Sequence, residues 1–109
     1  MRAGNLRDRV TFQRLVQHDD GYGNTVNAWA DHLTVWADMR ETVGREAVRA
    51  GAVEAARTAT LRIRASSQSR GLTEADRLVA RGRNWNVRSI AAVGNDRDAL
   101  DVLAELTAT

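Results

Sequence analysis

A chain of 109 residues with 16 basic and 14 acidic side chains has the size of one domain around one core. It holds no cysteine, which excludes a disulfide framework, a thiolate metal site and a cysteine nucleophile, and no lysine, which excludes a P-loop, Schiff-base or general-base lysine. The formal net charge is only +2, so the sequence pI near 10.3 reflects how few groups titrate between neutrality and arginine's range, not a nucleic-acid-binding surface.

The first five residues are polar, and a mobile end is expected there. No apolar signal region opens the chain and no run approaches a membrane span, so a soluble protein folded in a cytoplasm is expected. Residues 7–16 alternate, with Val10 and Phe12 on one face and Thr11 and Gln13 on the other, as a half-buried strand does. Asp19, Asp20, Gly21, Tyr22, Gly23 and Asn24 then supply turn chemistry, and residues 25–29 resume an extended pattern. This predicts a hairpin with a long exposed tip. Glycine-flanked Tyr22 suits a docking contact, because tyrosine buries area at low entropy cost. A plain turn is the alternative. Residues 31–33 read as a break before the next strand, 34–40, which puts Val35, Ala37 and Met39 on one face and Trp36 on the other.

Residues 42–58 read as a helix. Five alanines lie between Arg45 and Arg57, and Glu and Arg are good helix formers. Val48, Ala52, Ala55 and Ala59 make a narrow stripe of small side chains, and Gly51 interrupts it. The expected helix is therefore weakly anchored. Residues 59–65 form a strand with Leu61 and Ile63 inward and Arg62 and Arg64 outward. A polar loop follows over 66–73, with one helical turn expected over 73–76. Strands over 78–80 and 84–91 flank a tight turn at Gly82. Trp85 and Val87 share a face but Ile90 has the opposite parity, which predicts a β-bulge near Arg88 and Ser89. After a turn over 94–98, Leu100, Val102, Ala104 and Leu106 alternate with Asp101, Leu103 and Glu105 in a last strand. Mainly β, about six antiparallel strands with one inserted helix or long loop, points to a small barrel or sandwich, since closure removes sticky edges.

Catalytic constellations are sparse. His18 beside Asp19 and Asp20 lacks a third strong ligand and reads as a solvated tip. Asp96, Asp98 and Asp101 have the wrong spacing for a calcium loop. Glu74 and Asp76 read as first-turn residues rather than an acid–base pair. Arg81 and Arg83 around Gly82 fit a hairpin turn better than a phosphate site. No GxSxG, HExxH or Gly-rich phosphate loop is present. Trp29 and Trp36 with Arg62 and Arg64 leave open a nucleic-acid-binding barrel.

An ordered set of short motifs carries a resemblance. Leu6-Arg-Asp-Arg-Val-Thr-Phe-Gln13 opens the chain, followed by Asp20-Gly-Tyr-Gly-Asn24, Trp29 and Val35-Trp-Ala37. Gly44-Arg-Glu46, Leu61-Arg-Ile-Arg64, Asp76-Arg-Leu-Val79, Gly82-Arg83 and Trp85-Asn-Val87 complete it. In order and spacing the set resembles head-closure (head–tail joining, stopper) proteins of tailed bacteriophages, prophages and gene transfer agents. The alanine-rich 47–59 stretch departs from the pattern, in a part where that family varies.

The resemblance implies a single small β-barrel domain over 1–109, with no catalytic residue, metal or cofactor. It implies a virion neck protein, made in the host cytoplasm, that forms a ring, typically dodecameric. That ring sits against a portal or adaptor ring and meets a tail terminator or tail tube on its other side. DNA passes through without sequence-specific binding, and no membrane is involved. The segment between the second and third main strands would gate the channel, here Gly44, Arg45, Glu46, Arg49, Gly51 and Arg57. Trp29, Trp36, Arg62 and Arg64 are expected at a subunit interface. Alternatives are another neck component, an adaptor or tail-completion protein, or the nucleic-acid-binding barrel.

Overall fold

The computed structural model describes residues 5–43, 57–94 and 96–107. Six strands make up the fold: β1 (Asp8–Asp19), β2 (Thr25–Val43), β3 (Arg57–Arg64), β4 (Arg77–Ala80), β5 (Arg83–Val93) and β6 (Asp96–Leu106). They close into an antiparallel barrel in the order β1-β2-β3-β6-β5-β4. The barrel form is thus the one adopted, and the sandwich is not.

The interior is filled by the inward parity of each strand. Phe12, Leu61, Ile63, Leu78, Trp85 and Val102 are all 0% exposed. Trp85 is the largest, and its indole N–H donates to the Ala80 carbonyl at 3.2 Å, so its one polar atom is satisfied inside the core. Val35, Ala37 and Met39 face inward and Trp36 outward, as the alternation predicts.

Two bulges set the geometry. In β5, Val87 pairs with Ala104 and Ser89 with Leu103, leaving Arg88 as the extra residue. This is the bulge that the parity change between Val87 and Ile90 predicts. In the β1–β2 pair, Phe12 faces Leu33 but Gln13 faces Asp31, so His32 is extra. The expected break over 31–33 is therefore a bulge inside one 19-residue strand. A single inserted residue reverses the alternation, and in the sequence this looks like an interruption.

The expected helix over 42–58 also needs correction at its ends. Thr42 and Val43 finish β2, and Arg57 and Thr58 begin β3. Thr42 pairs in register with Thr58, with their Oγ1 atoms 2.8 Å apart. Long-range pairing of β-branched residues overrides a local alanine signal here. Residues 44–56 lie outside the described residues.

The β4–β5 hairpin turns on two residues, Arg81 (φ 53°) and Gly82 (φ 73°). Positive φ at both central positions is the requirement of a type I′ turn. The connection between β3 and β4 holds a 3-10 turn, Ser69–Gly71, which the sequence pattern does not announce. Ser69 is fully buried and organises it, donating to the Arg64 carbonyl at 3.0 Å and accepting from the Ser66 N–H at 2.7 Å. Within the expected helical turn over 73–76, the Asp76 N–H donates to the Thr73 carbonyl at 3.1 Å.

Candidate interaction surfaces

β1 leaves the barrel after Gln13. Its pairing with β4 covers only Thr11 to Gln13, while its pairing with β2 runs on to Asp19 and Thr25. The rest of β1 and the first part of β2 therefore project as a two-stranded ribbon. Among the described residues, three of its apolar side chains stay open to solvent: Leu15, Val16 and Val26 are 48%, 43% and 38% exposed.

The ribbon's tip is held by side-chain-to-backbone hydrogen bonds. Asp20 Oδ1 accepts from the Tyr22 N–H at 2.7 Å and from the Asn24 N–H at 3.2 Å. Asp19 Oδ1 accepts from the Gly21 N–H at 2.9 Å. Gly21 and Gly23 both have φ of +84°, which L-residues rarely adopt. The donated backbone N–H groups, Tyr22's foremost, hold the Asp20 carboxyl below the usual carboxylate range. The outcome is an anionic loop that presents Tyr22 at 89% exposure.

At the ribbon's base, Trp29 faces Leu15 across the strands. The Arg77 guanidinium lies 4.4 Å from the centroid of the Trp29 ring. Arg77 donates to Gln13 Oε1 at 2.8 Å, and Gln13 donates to Asp31 Oδ1 at 2.9 Å. On the inner side Arg14 donates to both carboxylate oxygens of Asp76, at 2.8 and 2.9 Å, and to the Gly71 carbonyl at 2.8 Å. Asp76 is 2% exposed and also accepts from the Thr73 N–H at 2.8 Å. Burial would raise its pKa, but the Arg14 and Thr73 hydrogen bonds, with the charges of Arg14 and His32, outweigh it and hold the carboxyl low. Asp76 is thus a fixed anion fastening the ribbon's root, a role that fits poorly with proton transfer.

A second surface lies on the outer wall of β1, β2 and β3. Leu6, Arg9, Thr34, Val35, Trp36 and Arg64 line an open cleft of about 520 Å³. Trp36 is 51% exposed, and the Arg9 guanidinium sits 4.9 Å from its ring centroid. The lining carries two arginines and no carboxylate. The next row along the wall is self-paired: Arg62 makes a two-pronged bond to Asp101 at 2.9 and 3.1 Å. The four residues expected at an interface are thus divided. Trp36 and Arg64 share the cleft, Trp29 stacks under Arg77, and Arg62 engages Asp101.

At one end of the barrel Arg81 donates to both oxygens of Asp8 at 3.0 Å, to Glu41 Oε2 at 2.6 Å and to the Met39 carbonyl at 2.9 Å. These bonds, those to Asp8 foremost, raise its pKa further above the ordinary arginine value. Arg81 therefore ties the β4–β5 turn to β1 and to the end of β2. Of the residues expected in a gating segment, Arg57 lies in β3, half-buried, and pairs with Val43. Gly44, Arg45, Glu46, Arg49 and Gly51 lie outside the described residues. Sequence reading missed Arg9, Arg14, Arg77 and Arg81 as organising residues. The only sequence signal for Arg9 and Arg77 is the register that sets them beside a tryptophan.

Among the described residues no group of three or more His, Cys, Asp or Glu side chains could hold a metal ion. No helix there is long and apolar enough to cross a membrane. Fold and surfaces together define a small closed β-barrel whose distinguishing features are a protruding ribbon and a cationic aromatic cleft. The family model for phage head completion proteins matches residues 1–107, and the chain belongs to that family. No curated protein matches the sequence significantly. Among solved structures the chain is similar to protein SF1141 from Shigella flexneri 2a, at 29% identity and a TM-score of 0.70, with 99% of this chain and 98% of that one covered. It also shares its fold with a chain of the virion of a native gene transfer agent particle, at 19% identity and a TM-score of 0.65, with 91% and 94% covered.

Proposed function

We propose that this chain is a structural protein of the head–tail connector, a ring-forming stopper that closes the portal channel after DNA packaging and offers the tail its docking face. Membership in the head completion family over nearly the whole chain is the observation that carries this reading. The shared fold with a gene transfer agent virion chain supports placement in a phage or phage-like particle. The all-β barrel counts against an adaptor, which would be mainly helical.

Its partners are further copies of itself in the ring, a portal or adaptor ring on the head side and a tail terminator or tube on the other. The chain would act as one barrel domain, without catalysis. On the resemblance to stoppers, we assign the channel-facing role to the segment joining β2 to β3, with Gly44, Arg45, Glu46, Arg49, Gly51 and Arg57. Arg81, which grips Glu41, would fix one root of that segment to the barrel.

Reconstitution tests this. DNA-filled heads that lack this chain should lose their DNA to nuclease. Adding the purified protein should restore nuclease resistance and tail attachment. Heads that retain DNA equally well without it would contradict the stopper role.

A further inference from the structure

The tip and the cleft are complementary in charge. The ribbon from residue 15 to residue 30 carries Asp19 and Asp20 and no arginine, a formal charge of −2 with His18 neutral. The cleft offers Arg9 and Arg64 on either side of a half-exposed indole and contains no carboxylate of its own. Tyr22 stands out between two acidic residues on one side and Asn24 on the other, held by the carboxylate-capped turn. An aromatic phenol flanked by carboxylates suits an arginine-flanked tryptophan, through ring packing and charge-assisted hydrogen bonds.

The two surfaces of one molecule cannot meet. Asp19 lies 10 residues beyond Arg9 on the same extended strand, which at about 3.3 Å per residue puts it about 33 Å away. The pair is therefore available only between copies. Two different patches meeting in this way form a heterologous contact, the kind that closes rings.

We propose that the Asp19–Asn24 tip of one copy docks into the Leu6–Arg9–Trp36–Arg64 cleft of the next, so that each subunit reaches across to its neighbour with its ribbon. The inference rests on the ring-forming reading and names the contact that builds the ring. Arg9 and Arg64 engage the Asp19 and Asp20 carboxylates, and Tyr22 packs on Trp36. The exposed Val16 and Val26, which share one face of the ribbon, supply the adjoining apolar contact.

The absence of cysteine makes the test clean. One preparation carries Asn24→Cys, which keeps Tyr22, and a second carries Thr34→Cys, in the cleft. They are mixed at high concentration and mildly oxidised. A control mixture pairs Asn24→Cys with Ser89→Cys on β5, across the barrel. Disulfide-linked dimers should form about tenfold faster at Thr34 than at Ser89. Adding Arg64→Glu, or separately Trp36→Ala, to the Thr34→Cys chain should remove about tenfold of that rate. Circular dichroism shows whether either variant still folds.

Equal rates at Thr34 and Ser89 would overturn the contact. Sedimentation of the unsubstituted protein in the same buffer separates the two claims. Self-association with equal linking rates leaves the ring standing and discards this contact. No association together with no preferential linking discards both. Binding of a single-stranded oligonucleotide at low salt that quenches Trp36 and blocks linking would make the cleft a nucleic-acid site, which also overturns the proposal.

Discussion

Asp76 shows most clearly what single side chains do in this molecule. It is buried, it accepts three hydrogen bonds, and its removal would strand the Thr73 N–H and the Arg14 guanidinium together. Asp76→Ala should lower unfolding stability by about 2 kcal/mol, because partners left unsatisfied cost more than the bond itself contributed. Urea denaturation measures it. The pH dependence follows from the depressed carboxyl. A group whose pKa is lower in the folded state adds stability above its unfolded value, near 3.8, and that contribution is lost as pH falls through the folded value. Acid unfolding of the parent should therefore be steeper below pH 4 than that of Asp76→Asn. Gly82, at φ 73° with open space around it, poses a purely conformational question. Gly82→Ala should cost about 1 kcal/mol, visible as a lower denaturation midpoint with an unchanged slope.

At the level of elements, the ribbon and the barrel walls should differ in dynamics. β3 and β6 hydrogen-bond on both sides and cover Leu61, Ile63 and Val102. The ribbon has two strands, no third neighbour beyond Gln13, and exposed apolar residues on both faces. Isolated two-stranded ribbons are marginally stable. In the free subunit, amides over 15–28 should show hydrogen-exchange protection about hundredfold below those over 59–63. Equal protection would mean that the ribbon is already supported without a partner. Much of this layout is legible in the sequence. The inward alternation of Leu61 and Ile63, and of Leu100 to Ala104, marks strands outright. The parity change between Val87 and Ile90 even locates the bulge at Arg88. The β1–β2 bulge was not legible, because one extra residue at His32 looks like the end of a strand. Nor was strand identity at Thr42 and Thr58, which pair with each other at the two ends of an alanine-rich sequence. The fastenings were the least legible. Arg14–Asp76 and Arg81–Asp8 span 62 and 73 residues, and only closure of the barrel through β1–β4 brings them together.

For the whole molecule, charge is arranged to pair rather than to accumulate. Arg14, Arg62, Arg81 and Arg88 each grip a carboxylate of the same chain. With a net charge of only +2 and these four arginines engaged within the chain, the subunit has little surplus charge with which to hold a phosphate backbone. Its dissociation constant for duplex DNA at 0.15 M salt should be no tighter than about 100 μM. That agrees with the channel role proposed above, and a gel-shift titration checks it. The chain belongs to the head completion family, and under the contact proposed above its ribbon and its cleft meet between copies. The most direct measurement is electron microscopy of particles assembled in the absence of this chain. The account predicts heads that package DNA, fail to retain it and carry no tails. Tailed, DNA-filled, infectious particles would contradict it.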